Sequence, residues 1–168
     1  MSDSRPALAD SFEEVVRRRE TEVLRTAYRI VGNWADAEDI AQEVFLRLHR
    51  HRIKFPNDKA LRSWLYRVAV NLCLDRARAT RSFEELPELK AEDASAETNL
   101  IREQRKRMMM AALGTLPPRE RAALVLREIE GLSTAEVAAI LGSREVTVRT
   151  QVAKALDKLR SILNREKS

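Results

Sequence analysis

One cysteine, four glycines, five prolines and an aromatic content of 5% in 168 residues exclude several kinds of protein. Cys73 alone can build neither a disulfide framework nor a cysteine-rich zinc site. So few glycines and prolines cannot supply the many tight turns of an all-β chain. Apolar runs are short: the longest, Met108 to Leu113, has six residues, against the ~20 that a membrane span requires. The opening residues, MSDSRPALADSFEE, lack the basic-then-apolar order of a signal peptide. There is no Gly-rich phosphate loop and no nucleophile–histidine arrangement, which argues against an enzyme. What is abundant is Ala, Leu, Arg and Glu, which favour helix. With 44% hydrophobic residues the chain has enough apolar material to fold. The expectation is an all-α, soluble, cytoplasmic protein with no membrane insertion.

The net charge of +5 is unevenly spread. Residues 12–81 carry 15 Lys/Arg against 10 Asp/Glu, residues 82–101 one against six, and residues 104–168 13 against seven. Two basic blocks therefore flank an acidic joint, SFEELPELKAEDASAETN. Basic blocks suit a phosphate-rich partner, although a solvated helical surface gives the same charge. In the first block, Val15, Val16, Leu24, Ala27, Tyr28 and Val31 recur at helical spacing until Gly32, and Asn33 can cap a second helix. That helix puts Ala37, Ile40, Ala41, Val44, Phe45 and Leu48 on one stripe. Its polar side shows Asp36, Asp39, Gln42, Glu43 and Arg47. Phe55-Pro56 breaks the pattern, and a third helix is expected to bury Leu61, Leu65, Val68, Leu72 and Cys73. After the joint, helical periodicity resumes near Asn99 and again after Pro117-Pro118, which suit a first helical turn. The expected division is a tail over 1–11, a domain over 12–81, a flexible acidic linker over 82–103 and a second domain over 104–165.

The second block ends in GLSTAEVAAILGSREVTVRTQVAKALDKLR. Ser133 and Glu136 form a capping box, Val137, Ile140 and Leu141 a buried stripe, and Gly142 permits the tight turn. Ser143 can cap the next helix, whose Val148, Val152, Ala155 and Leu159 share one face. Arg144, Thr147, Gln151, Lys154 and Lys158 share the outward face, with Arg149 beside them, and no acid interrupts it. Arg, Gln and Thr can read base edges, and Lys suits phosphates. A helical hairpin with a solvated basic face is the competing reading.

Taken in order, three segments resemble the group IV, extracytoplasmic-function (ECF) sigma factors of the sigma-70 family: DAEDIAQEVFLRLHRH, LRSWLYRVAVNLCLDRAR, and Leu116 to Arg160. The resemblance covers roughly Phe12 to Leu163. It implies a region 2-like bundle and a region 4-like helix-turn-helix, which bind core RNA polymerase at its β′ coiled coil and β flap. Asp39, Gln42 and Glu43 would meet the coiled coil, on one face at i, i+3 and i+4. Asp36, Glu38, Asp39 and Glu43 could instead supply oxygen ligands to a metal, but Glu38 points away from Asp39 and nothing completes a cage. No metal or cofactor is expected.

For the melted −10 promoter element, the resemblance implicates Arg52, Lys54, Phe55, Asn57 and Lys59 on the loop, and Arg62, Arg67, Asn71 and Arg78 on the third helix, as a basic track with places for bases. Asp75 could equally pair with a neighbouring arginine, and Trp64 could be core or base platform. The −35 duplex would be read by Arg144, Thr147, Arg149, Gln151, Lys154 and Lys158. The chain departs from the common family pattern at Val146, usually Gly, and at Gln151, usually Arg. The resemblance also implies an anti-sigma partner, with the chain a monomer when free or a heterodimer with its inhibitor. Two other readings compete. One is the helix-turn-helix output domain of a response regulator, which would need strand-period segments upstream. The other is a sigma-like protein-binding adaptor, which would not need an acid-free reading face.

Overall fold

Ser11 starts the first helix: its hydroxyl accepts from the Glu14 amide at 3.3 Å. The computed structural model describes residues 11–51, 54–79 and 96–166. Helix α1 (Phe12–Val31) stops where Gly32 adopts φ 69° and its amide bonds the Tyr28 carbonyl, a left-handed cap that favours glycine. Asn33 accepts from the Asp36 amide at 2.9 Å and starts α2 (Trp34–His51), whose buried residues are the six of the expected stripe. Helix α3 (Asp58–Ala79) begins beyond Pro56, capped by the Asn57 side chain on the Ala60 amide. These three helices pack together as one unit.

Helix α4 (Ala96–Gly114) begins inside the stretch expected to be linker, so residues 96–103 are helical. Helix α5 (Pro118–Leu124) has proline at its first turn and runs directly into a π-helical turn, Val125–Ile129. After Gly131 at φ 71°, Ser133 caps α6 (Thr134–Leu141), accepting from the Glu136 amide at 3.1 Å. Gly142 closes α6 at φ 63°, and α7 (Glu145–Glu166) buries Val148, Val152, Ala155 and Leu159 as the spacing implies. The expected Ser143 cap is replaced. Its hydroxyl accepts from Arg119 at 3.1 Å, and the Val148 amide bonds the Arg144 carbonyl.

The two expected helical units are present, and they pack on each other. Buried residues of α1–α3 and of α4–α7 form one continuous apolar cluster, and α3 packs on α6. That second neighbour explains why α3 buries a different and wider set than the expected stripe. Tyr66, Ala69, Val70 and Leu74 join Leu61, Leu65 and Cys73 in the core, while Val68 and Leu72 are only partly covered. A helix held on two sides buries a wider arc than one amphipathic stripe. Burial raises the Cys73 thiol well above its ordinary range, so it stays a neutral core residue.

Candidate nucleic-acid and protein interfaces

The capped α6–turn–α7 hairpin leaves one side of α7 open. Arg144, Thr147, Arg149 and Lys154 are exposed, and Gln151 is partly buried. Pro117 and, from α5, Arg119 and Glu120 form, with Thr147, Gln151 and Lys154, a cleft of about 470 Å³. Arg119 braces the turn by donating to the Leu141 carbonyl at 2.8 Å. The reading face is less free of acid than α7 alone suggests, because Glu120 lies 2.8 Å from Lys158. Periodicity within one helix cannot reveal a partner that arrives from another. The Gln151 Oε1 atom is buried without a hydrogen-bond partner.

On α2, Asp39 and Gln42 are exposed and Glu43 is half-buried against Arg47 at 3.0 Å. All three line a shallow cleft of about 490 Å³ with Leu72, Asp75 and Arg76. Arg76 bonds Asp36 at 2.6 Å and lies 3.6 Å from Asp39, leaving the Asp39 carboxylate 62% exposed. The expected polar face of α2 is therefore assembled, with α3 supplying a flanking cation.

The residues implicated in −10 capture divide in the structure. Lys54, Arg67 and Asn71 are exposed. Phe55 and Trp64 make a tilted ring pair at 5.8 Å, with Trp64 partly buried. Asn57 is committed to capping α3. Lys59 reaches Glu136 of α6 at 3.8 Å, and Arg62 donates to Glu22 at 2.9 Å and approaches the Tyr66 hydroxyl at 3.4 Å. Arg52 and the Arg78 side chain lie outside the described residues.

Sequence reasoning missed the polar seam between the two helical units. Glu130, just past the π turn, accepts from Thr26 at 2.7 Å, Arg29 at 3.2 Å and Tyr66 at 2.8 Å. The same Tyr66 hydroxyl lies 2.5 Å from Glu22, which also accepts from Arg19 and Arg62. Burial alone would raise the Glu22 carboxyl, but hydrogen bonds from Tyr66, Arg19 and Arg62 outweigh it and hold the group below its ordinary range. Burial and the two facing carboxylates push the Tyr66 hydroxyl far up. Arg121 of α5 is 6% exposed and donates to the carbonyls of Leu113, Leu116 and Gly114, and across the seam to that of Ile30. Burial lowers it to about 10, so it remains cationic at neutral pH. It faces the carboxyl end of α1, where a cation is favoured.

The comparisons with known proteins agree with this arrangement. Residues 15–83 match the family model of sigma-70 region 2, and residues 106–159 that of sigma-70 region 4. The chain is 39% identical to the ECF RNA polymerase sigma factor SigE of Mycolicibacterium smegmatis, with 96% of this chain and 65% of that one aligned. Identity to the RNA polymerase sigma-E factor of Streptomyces avermitilis is 34%, covering 90% of this chain and 84% of the relative. Among solved structures, CnrH in complex with the cytosolic domain of CnrY superposes with a TM-score of 0.65 at 26% identity, covering 92% of this chain and 88% of CnrH. With both sigma regions matched in order and relatives aligned over most of their length, the chain belongs to the ECF family of RNA polymerase sigma factors.

Proposed function

We propose that this sigma factor binds core RNA polymerase through the α2 face of Asp39, Gln42 and Glu43 and directs it to promoters by two grips. The region 4-like unit reads the −35 duplex with Arg144, Thr147, Arg149, Gln151, Lys154 and Lys158. The region 2-like unit captures the −10 strand with Arg52, Lys54, Phe55, Lys59, Arg62, Arg67, Asn71 and Arg78, while Asn57 shapes the loop. The observation that carries this reading is the open, cation-rich side of α7 on a capped helix-turn-helix, behind a region 2 unit whose polar α2 face is also uncovered. A major-groove helix needs such a face, since Arg, Gln and Thr read base edges and Lys neutralises phosphate. The chain itself performs no catalysis, and the polymerase supplies it, which makes the cytoplasm its place of work. Among the described residues no helix is long and apolar enough to cross a membrane.

Control by an anti-sigma factor belongs to the same reading, supported by CnrH, a structural relative in complex with the cytosolic domain of CnrY. The direct test is run-off transcription with core polymerase and the purified protein on a promoter library. A promoter-dependent product is expected, and its absence with every compatible core overturns the reading. Reversing charge at Asp39 should lower core binding several-fold and leave duplex DNA binding unchanged.

A further inference from the structure

The first turns of α7 present an uncharged ridge directly opposite the core. Val148, Val152, Ala155 and Leu159 are buried. At about 100° per residue, the far side of the helix belongs to Val146, Thr150 and Ala153, spaced i, i+4 and i+7. All three are exposed. Val146, the second residue of α7, is 51% exposed. Arg149 stands on one flank of this ridge, and Thr147 and Lys154 on the other. Asp157 ends it one turn further on, paired with Arg160 at 3.6 Å.

Folding does not account for a valine at this place. Val146 has no part in the core cluster, and on a solvent-facing turn a β-branched residue is a weaker helix former than Ala, Glu or Lys. Thr150 turns its hydroxyl back along the helix, donating to the Val146 carbonyl at 3.0 Å. The surface it adds beside Val146 is therefore mainly its methyl group. Val146 and Thr150 also line the cleft that holds Thr147, Gln151 and Lys154, so the apolar pair sits among the side chains proposed to read bases.

We infer that Val146, supported by the Thr150 methyl, reads the 5-methyl group of a thymine in the −35 duplex. The inference rests on the proposed −35 role of α7 and extends it to a type of base. In the major groove thymine is marked by that methyl group, which apolar side chains recognise by contact. Recognition helices meet base edges with their N-terminal residues, and Val146 stands in the first turn. Cations on both flanks suit the phosphates that wall the groove, which turns the ridge between them toward its floor. Valine has no side-chain donor or acceptor, so it discriminates by burying the methyl group alone.

The test uses holoenzyme reconstituted from core polymerase and the full chain, on the promoters recovered from the library. These should share a thymine at one fixed position of the −35 element. Each −35 thymine, on either strand, is replaced singly by deoxyuridine, which keeps the base pair and removes the methyl group. Altered and unaltered templates, encoding products of different length, then compete in one run-off reaction. Deoxyuridine at one position should lower template usage about fourfold, the effect expected of one buried methyl group. Val146→Ala, which suits the helix but shortens the side chain, should bring that ratio close to one. Val146→Thr, which keeps one methyl, should retain part of it. Thr150→Ser preserves the hydroxyl bond and should reduce the ratio by a smaller amount. Three results overturn the inference: recovered promoters with no shared −35 thymine, no deoxyuridine position that lowers usage, or a deoxyuridine effect that persists unchanged in Val146→Ala. Failure of the sigma reading is distinguishable, because it appears as absence of product from the unaltered templates.

Discussion

Lys154 and Lys158 occupy the same side of α7 one turn apart, yet their surroundings differ. Lys154 is exposed beside Gln151, whereas Lys158 is paired with Glu120 at 2.8 Å. A lysine free to neutralise a phosphate releases a condensed counterion when it binds, and this sets the salt dependence of affinity. A lysine already facing a carboxylate must first exchange that partner. Lys154→Ala should therefore weaken −35 duplex binding and flatten the slope of log affinity against log salt by up to about one unit. Lys158→Ala should change the slope by clearly less. Equal slopes for both variants, measured by titrating DNA between low and moderate salt, would remove the distinction. Gln151 is the other residue to watch at this scale: its buried Oε1 has no hydrogen-bond partner, where the common family pattern has a charged arginine. A neutral amide favours adenine over the guanine that arginine prefers.

Most of the element-level organisation was legible in the sequence, for local reasons. The α2 stripe, the Gly32, Asn33, Ser133 and Gly142 caps and the buried face of α7 depend on contacts within a few residues, and periodicity records these. What stayed hidden depends on distant partners. Thr26 and Glu130 are 104 residues apart, Tyr66 and Glu130 64, and Arg121 reaches Ile30 across 91. Nothing local marks Glu130 as buried, and the π turn that aims it has no turn signature in VLREI. Distance likewise hides the bond between Arg62 and Glu22, 40 residues apart. The α6 cap offers a test at this scale. Ser133→Ala removes the acceptor from the Glu136 amide and should cost about 1 kcal/mol, read as a lower urea midpoint at unchanged slope. Since α6 also packs on α3, the loss should be cooperative over the whole chain; a separate early transition of the C-terminal unit would contradict the shared core.

At the scale of the molecule, the seam ties stability to pH at both ends of the range. Burial works against the Glu22 carboxylate, but bonds from Tyr66, Arg19 and Arg62 hold its folded titration below the ordinary 4.5. A group bound more tightly in its charged form stabilises the fold above its unfolded pKa, and that contribution is lost as pH falls through the folded one. The Tyr66 hydroxyl has the opposite sense: burial first, then the Glu22 and Glu130 carboxylates, raise it above the ordinary 10.0. Its contribution is complete below about pH 10 and lost as pH climbs further. The melting temperature should thus be flat from about pH 5 to pH 10 with respect to these two groups, and fall on either side. Glu22→Gln should remove its share of the acid limb and also make the alkaline one shallower, because it takes away one of the carboxylates that raise Tyr66. Tyr66→Phe should remove its share of the alkaline limb and make the acid one shallower, because Glu22 loses a hydrogen bond. Both residues also help seat Glu130, and the two units share one apolar cluster. Scattering across the same pH range should therefore show the radius rising only as the helices melt, with helix content followed by circular dichroism on the same samples. A rise in radius ahead of helix loss would mean that the units separate while still folded.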